Sequence, residues 1–219
     1  MLYLLTALFG AFSIMYVEPK LYVPGDGAAT VARVLAHEGL FRLGVASTLV
    51  SVVLFLVMAD ALYTLLKAVD GDLARLMLIF VVVSIPAGLN FHEFAPIVLS
   101  KGAAYRSAFE PAQVQALSLA YLELQKNGGS IGQVFWGLWL VPLGLLVMKS
   151  GFIPRGLGVL LVVGGLGYIV NSLAFLLLPG FSAMTYPAAL FGFAAELSFM
   201  SWLIVKGARR SAATSSAAM

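Results

Sequence analysis

Apolar residues run along this chain in blocks of membrane-spanning length, at about 1–17, 40–66, 74–99, 128–148, 156–178 and 185–205. A helix needs about 20 apolar residues to cross a hydrocarbon core of about 30 Å. From Leu43 to Ala59 there is no charge, and from Gly156 to Ala195 forty consecutive residues are uncharged. Forty is enough for two spans, with Pro179-Gly180 as the turn between them. The pattern predicts an all-α fold, a six-span transmembrane helical bundle. The first block sits at the short end of what spans a bilayer. It lacks a basic flank and a small-x-small site before Glu18, which argues against a cleaved leader. A start placed too late, or a shortened first helix, accounts for its missing polar flank.

The two longer polar loops, 18–39 and 100–127, each carry an amphipathic stretch. In the first, Val31, Val34 and Leu35 fall on one helical face, away from Arg33 and His37, and Asp26 stands where a carboxylate accepts from the free N–H groups of a helix start. In the second, Val114, Leu117, Tyr121 and Leu124 lie opposite Gln113, Gln115 and Glu123. Both are expected as short interfacial helices, the second alternatively as an amphipathic extension of the next span, with Gly128-Gly129 as an interruption. The link 67–75 turns at Asp70-Gly71 and is short enough to make its two spans antiparallel neighbours.

Composition settles the solvent. Hydrophobic residues make up 61% of the 219 and charged residues only 11%, where a soluble domain carries about a quarter charged. A net charge of +3 from 13 basic and 10 acidic residues is too small and dispersed for nucleic-acid binding. Absence of cysteine excludes disulfides and thiolate chemistry. There is no HExxH, phosphate-binding loop, dinucleotide fingerprint or GxSxG. No catalytic residue, metal site or cofactor is assigned, and the reading points away from an enzyme.

Charge distribution sets the expected topology. One side of a six-span bundle holds Lys67, Arg75, Lys149, Arg155, Lys206, Arg209 and Arg210 in short segments; the other holds its bases spread over the two long loops. Basic density near span ends marks the cytoplasmic side. Both termini are therefore expected in the cytoplasm, with the protein in the cell inner (cytoplasmic) membrane. Residues 1–206 form one membrane domain in this reading, and 207–219 a disordered tail.

Polar groups inside the apolar blocks are the candidate chemistry. Pro86, Asn90, Glu93 and Ile97 recur at four, three and four residues, so Asn90 and Glu93 share the face that Pro86 should kink; His92 borders it. Gln133, Asn171 and Glu196 fall at overlapping depths in other spans. A charged carboxylate in hydrocarbon costs at least about 2.5 kcal/mol even on the lenient insertion scale, and no Lys or Arg is available at that depth. Asn90, His92, Glu93, Gln133, Asn171 and Glu196 are thus the candidate ligand-binding residues, lining an outer-leaflet polar pocket; interhelical hydrogen-bond glue is the structural alternative. Proline in spans three and four adds broken helices of the kind that border solute sites. The expected function is binding or transport of a small solute, ion or lipid. The alternatives are an intramembrane enzyme acting on a lipid-like substrate, with His92 and Glu93 as acid–base groups, and a non-catalytic sensor or partner subunit. Expected partners are membrane lipid, a small solute or ion, and a second copy, because a chain this short without an internal repeat is cramped for alternating access.

Several segments carry a family resemblance: YVEPKLYVPGD (16–26), ATVARVLAHEGLFRLG (29–44), FSAMT (181–185), QVFWGLWLVPLGLLVMKSGFIPRGLGVLL (133–161), GYIVNS (167–172) and the Glu of AELSF (195–199). Together they resemble the prokaryotic multi-pass membrane family known as domain-of-unknown-function family 4386, over nearly the whole chain. The resemblance implies a six-span helical membrane protein and brings no substrate, cofactor or reaction. Members usually begin with further residues, a basic one among them, before the first span.

Overall fold

The computed structural model describes residues 1–23, 25–88, 94–178 and 182–206. All regular structure among them is helical: α1 (Leu2–Leu21), α2 (Gly27–Ala36), α3 (Glu38–Leu66), α4 (Gly71–Gly88), α5 (Ala95–Lys101), α6 (Ala103–Ala108), α7 (Pro111–Ser150), α8 (Arg155–Leu177) and α9 (Ser182–Lys206). Among the described residues five helices are long and apolar enough to cross a membrane: α1, α3, α7, α8 and the Pro187–Lys206 part of α9. The third of the six expected spans, 74–99, is described as α4 and α5 on either side of 89–93, which lie outside the described residues. So do the expected turn at Pro179-Gly180 and the expected tail at 207–219.

Two boundaries differ from expectation. The first helix runs to Leu21, through a π-helical stretch at Phe12–Val17, so the first span has 20 residues and clears the length requirement. Gly128-Gly129 does not interrupt α7, a single helix of 40 residues. The amphipathic stretch after Pro111 is therefore the extension of the fourth span. At 1.5 Å per residue such a helix is about 60 Å long, twice the hydrocarbon core, so one end must project beyond it.

The chain divides into two compact units. The first contains Leu2–Phe55 and Ile85–Ser130. Here α1 and α3 are tied by hydroxyls on one α3 face: Ser47 Oγ donates to the Phe9 carbonyl at 2.8 Å, Ser51 Oγ to the Thr6 carbonyl at 2.9 Å, and Thr48 Oγ1 to Ser13 Oγ at 3.0 Å. Small hydroxylated residues let helix backbones approach closely and satisfy their own polarity across the seam. Asp26 caps α2 as expected, accepting from the Ala29 N–H at 2.8 Å. The α2 stripe packs on protein: Val34 joins Val17, Leu21, Phe41 and Ile97 in a buried cluster, flanked by Leu35 and Phe94. Glu38 pairs with both Arg42 and Lys101 at the rim of this unit.

The second unit contains Met1, Leu56–Ser84 and the residues from Ile131 onward. Its centre is α8, which carries glycine on two faces. A Cβ built on Gly165 would stand 2.7 Å from the Gly137 carbonyl oxygen, and one on Gly144 2.6 Å from that of Gly158. These contacts set α7 and α8 antiparallel, backbone against backbone, at two points seven residues apart. On the other face, a Cβ on Gly164 would stand 2.8 Å from the Gly192 Cα, which brings α9 equally close. Lipid tails are as apolar as leucine, so helices in a bilayer associate through such close van der Waals packing. The glycine-rich run in the fifth block is thus a packing device. The remaining side of α8, with Val159, Val163, Leu166, Val170 and Leu173, is exposed and apolar throughout, as a lipid-facing surface must be.

Candidate functional site

The antiparallel register of α7, α8 and α9 brings three polar side chains into one chain of hydrogen bonds. Asn171 Nδ2 donates to Gln133 Oε1 at 2.7 Å, and Thr185 Oγ1 donates to Asn171 Oδ1 at 2.9 Å. Beside them Ser172 Oγ donates to the Ile131 carbonyl at 3.0 Å. Asn171 and Ser172 are buried, and α8 is the helix in the middle. Asn171 therefore uses its donor toward α7 and its acceptor toward α9, the arrangement that leaves least unsatisfied in an apolar surround. About one turn along α7, the Gly137–Gly165 contact fixes the spacing that lets side chains this short meet.

Gln133 and Asn171, expected at matching depth, are in direct contact. Thr185 was absent from the sequence candidates. The signal for it lies in the register of the antiparallel α8 and α9: Gly164 meets Gly192 and Gly167 meets Ala188, so Asn171 falls opposite position 185. Glu196 belongs to a different level of the bundle. It is eleven residues beyond Thr185, about 16 Å along α9. Asn90, His92 and Glu93 lie outside the described residues.

Glu196 sits on the packed face of α9, among Gly192, Ala195, Phe199 and Met200, all of them buried. Its own side chain is only half-buried, and it forms no hydrogen bond or ion pair with another described residue. One turn away, Gly192 lies against the Tyr168 ring, and that ring meets Trp136 edge-on, with centroids 6.3 Å apart. The carboxyl group is thus inside a span, one turn from the glycine that packs on Tyr168, with no hydrogen-bond or ion-pair partner among the described residues. Among the described residues no group of three or more His, Cys, Asp or Glu is arranged to hold a metal ion.

At the opposite end of α7, Lys149 Nζ donates to Asp70 Oδ2 at 2.7 Å, while Asp70 Oδ1 accepts from the Leu73 N–H at 3.1 Å and so caps α4. The Lys149 ammonium, with help from that backbone N–H, holds the Asp70 carboxyl below its ordinary value of 3.8. This pair joins the 67–70 turn to the 150–154 turn within the second unit.

Comparison with known proteins agrees with the helical, apolar character of the chain. The family model described as "Domain of unknown function (DUF4386)" matches residues 1–207. A protein of Archaeoglobus fulgidus, described as an uncharacterized protein, is 29% identical over 162 residues, covering 73% of this chain and 81% of that one. No solved structure matches.

Proposed function

The chain belongs to the DUF4386 family of multi-pass membrane proteins, and from that premise we propose that it binds a small cation or polar solute inside the membrane, with the Glu196 carboxylate as the principal ligand. One observation carries the reading: an acidic side chain in mid-span, on a packed helix face, with no hydrogen-bond or ion-pair partner among the described residues. An ionisable residue at such depth is costly, and the partner that repays it is commonly a transported or bound species. Tyr168, which packs on Gly192 one turn from Glu196, supplies an aromatic ring suited to an organic or weakly hydrated cation. The Gln133–Asn171–Thr185 chain has a supporting part: its hydrogen bonds lock α8 between α7 and α9, so that Glu196 is held in place. Asn90, His92 and Glu93, the other candidates read from the sequence, lie outside the described residues, and the proposed site does not depend on them. Six spans, an interfacial α2, a cytoplasmic location for both termini and residence in the inner membrane complete the proposal, on the density of bases in the short links. In this reading one membrane domain covers 1–206, and a second copy assembles beside the first.

A thermal-shift screen on purified protein tests it, using sodium, potassium, magnesium, ammonium and tetramethylammonium salts between pH 5 and 9. At least one cation is expected to raise the melting temperature of the native protein and to leave Glu196→Gln unmoved. Stabilisation that survives Glu196→Gln would remove Glu196 from the site, and a screen in which no cation separates the two proteins would refute the cation reading.

A further inference from the structure

The second unit has a concave feature at the C-terminal end of α9, whose lining does not include Glu196. An open cleft of about 920 Å³ is lined by the turn Gly151–Pro154, by Arg155 and, from α9, by Trp202, Val205 and Lys206. The turn is well fixed. Gly151 takes φ +73°, a value side chains rarely tolerate; the Ser150 hydroxyl accepts from the Ile153 N–H at 3.3 Å, and Ile153 is buried. Arg155 opens α8 and Lys206 closes α9, so two antiparallel spans deliver one cation each to a single rim. Both side chains are exposed, and neither forms an ion pair among the described residues. The neighbouring base, Lys149, is already engaged by Asp70. Residues 207–219 contain no acid.

We propose that this cleft binds the phosphate-bearing headgroup of an anionic membrane lipid. Its size falls within the range of about 300–1,000 Å³ typical of small-molecule sites. Two unpaired cations select an anion, and the start of α8 adds the positive end of a helix dipole on the same wall. A free phosphate shares that chemistry. The lipid is favoured by the rest of the lining: Phe152, Trp202 and Val205 form an apolar wall continuous with two span helices, which suits a headgroup with its glycerol and acyl chains attached. Tryptophan at a span end is also the residue that sits best at headgroup level. The cleft is independent of Glu196, and either proposal stands if the other falls.

Full-length protein in a neutral detergent, titrated with phosphatidylglycerol or phosphatidylcholine and read by native mass spectrometry, provides the test. Phosphatidylglycerol should be retained in preference to phosphatidylcholine, and Arg155→Gln with Lys206→Gln should together weaken its retention by about tenfold to thirtyfold. Arg75→Gln, which alters an exposed base outside the cleft, should change nothing. Melting temperatures in phosphatidylcholine alone should agree between native and double-variant protein, which keeps a folding defect from imitating lost binding. Equal retention of the two lipids, or unchanged phosphatidylglycerol retention in the double variant, would overturn the assignment. Displacement of phosphatidylglycerol by millimolar inorganic phosphate would overturn the lipid in favour of a soluble anion.

Discussion

Replacing Asn171 by alanine cuts the hydrogen-bond chain at its central link. Two interhelical bonds vanish, one to Gln133 and one from Thr185. Measured bonds of this kind in lipid average about 0.6 kcal/mol, with a maximum of about 1.7, because the unfolded chain in a membrane also finds partners. Two average bonds give about 1.2 kcal/mol, and the void left by the amide in a buried seam adds about 1 kcal/mol. The expected cost is therefore about 2 kcal/mol. Gln133→Leu removes one bond and should cost about 0.6 kcal/mol in the native background. With Asn171 already truncated, it has nothing left to lose. The double-mutant cycle should accordingly return a coupling of about 0.6 kcal/mol. Reversible unfolding in mixed micelles with rising denaturing detergent, followed by the fluorescence of Trp136, Trp139 and Trp202, measures all four corners. A cost for Asn171→Ala below about 0.3 kcal/mol, or a cycle closing within that margin, would refute the view that these bonds hold α7, α8 and α9 in register.

Glycine substitutions should separate close approach from mere helix content. Gly165→Val places new atoms against the Gly137 carbonyl and the Leu140 Cβ and should destabilise by about 1–3 kcal/mol or more through overpacking, whereas Gly129→Ala enters open space and should stabilise α7 by about 0.4–1 kcal/mol; the same micelle assay reads both, and equal effects would refute the packing assignment. Acid should loosen the Asp70–Lys149 tie. The folded carboxyl titrates below its ordinary value of 3.8, so its contribution is present above that pH and is lost as pH falls through the depressed value. Melting temperature measured from pH 6 to pH 3 should therefore fall more steeply for native protein than for Asp70→Asn, and parallel curves would show that the tie adds nothing.

Much of this architecture is legible in sequence because a bilayer imposes a length rule that water does not. Uncharged blocks announce α3, α8 and α9 to within a few residues, and Asp26 announces the cap of α2. The interior of α7 is less legible. Two adjacent glycines lower helix propensity by about 1 kcal/mol each relative to alanine, which reads as an interruption, yet forty residues continue as one helix through Gly128-Gly129; propensity is a weak prior against such cooperative continuation. The polar site divides in the same way. Matching depth from span ends anticipates the Gln133–Asn171 meeting, since both are fixed by their own helices. Thr185 escapes the same reasoning because its level depends on the register of a hairpin, and that register is set by Gly164 against Gly192, a contact with no one-dimensional signature. Depth along a helix is also blurred: distance from span ends sets Glu196 at a depth overlapping that of Asn171, whereas α9 separates Glu196 from Thr185 by about three turns.

The two kinds of polar residue in the second unit stand in different relations to its packing. Glycine contacts bring α7, α8 and α9 together without any polar group, and Asn171, buried between them, needs both its partners simply to be tolerated there. Polarity of that kind is answered from within: the Asn171 amide meets a donor and an acceptor supplied by the same three helices. Glu196 breaks the pattern. It lies on the same packed face as Gly192 and Phe199, yet no described side chain answers it with a hydrogen bond or ion pair, and the helices around it are already held by other contacts. A leucine there would pack α9 at least as well and avoid the desolvation of a carboxyl group, a penalty of several kcal/mol for an ion in a low-dielectric interior. A costly group that the scaffold does not need is better explained by something outside the scaffold, which is why the proposed ligand is placed at Glu196 and not at the better-connected Asn171.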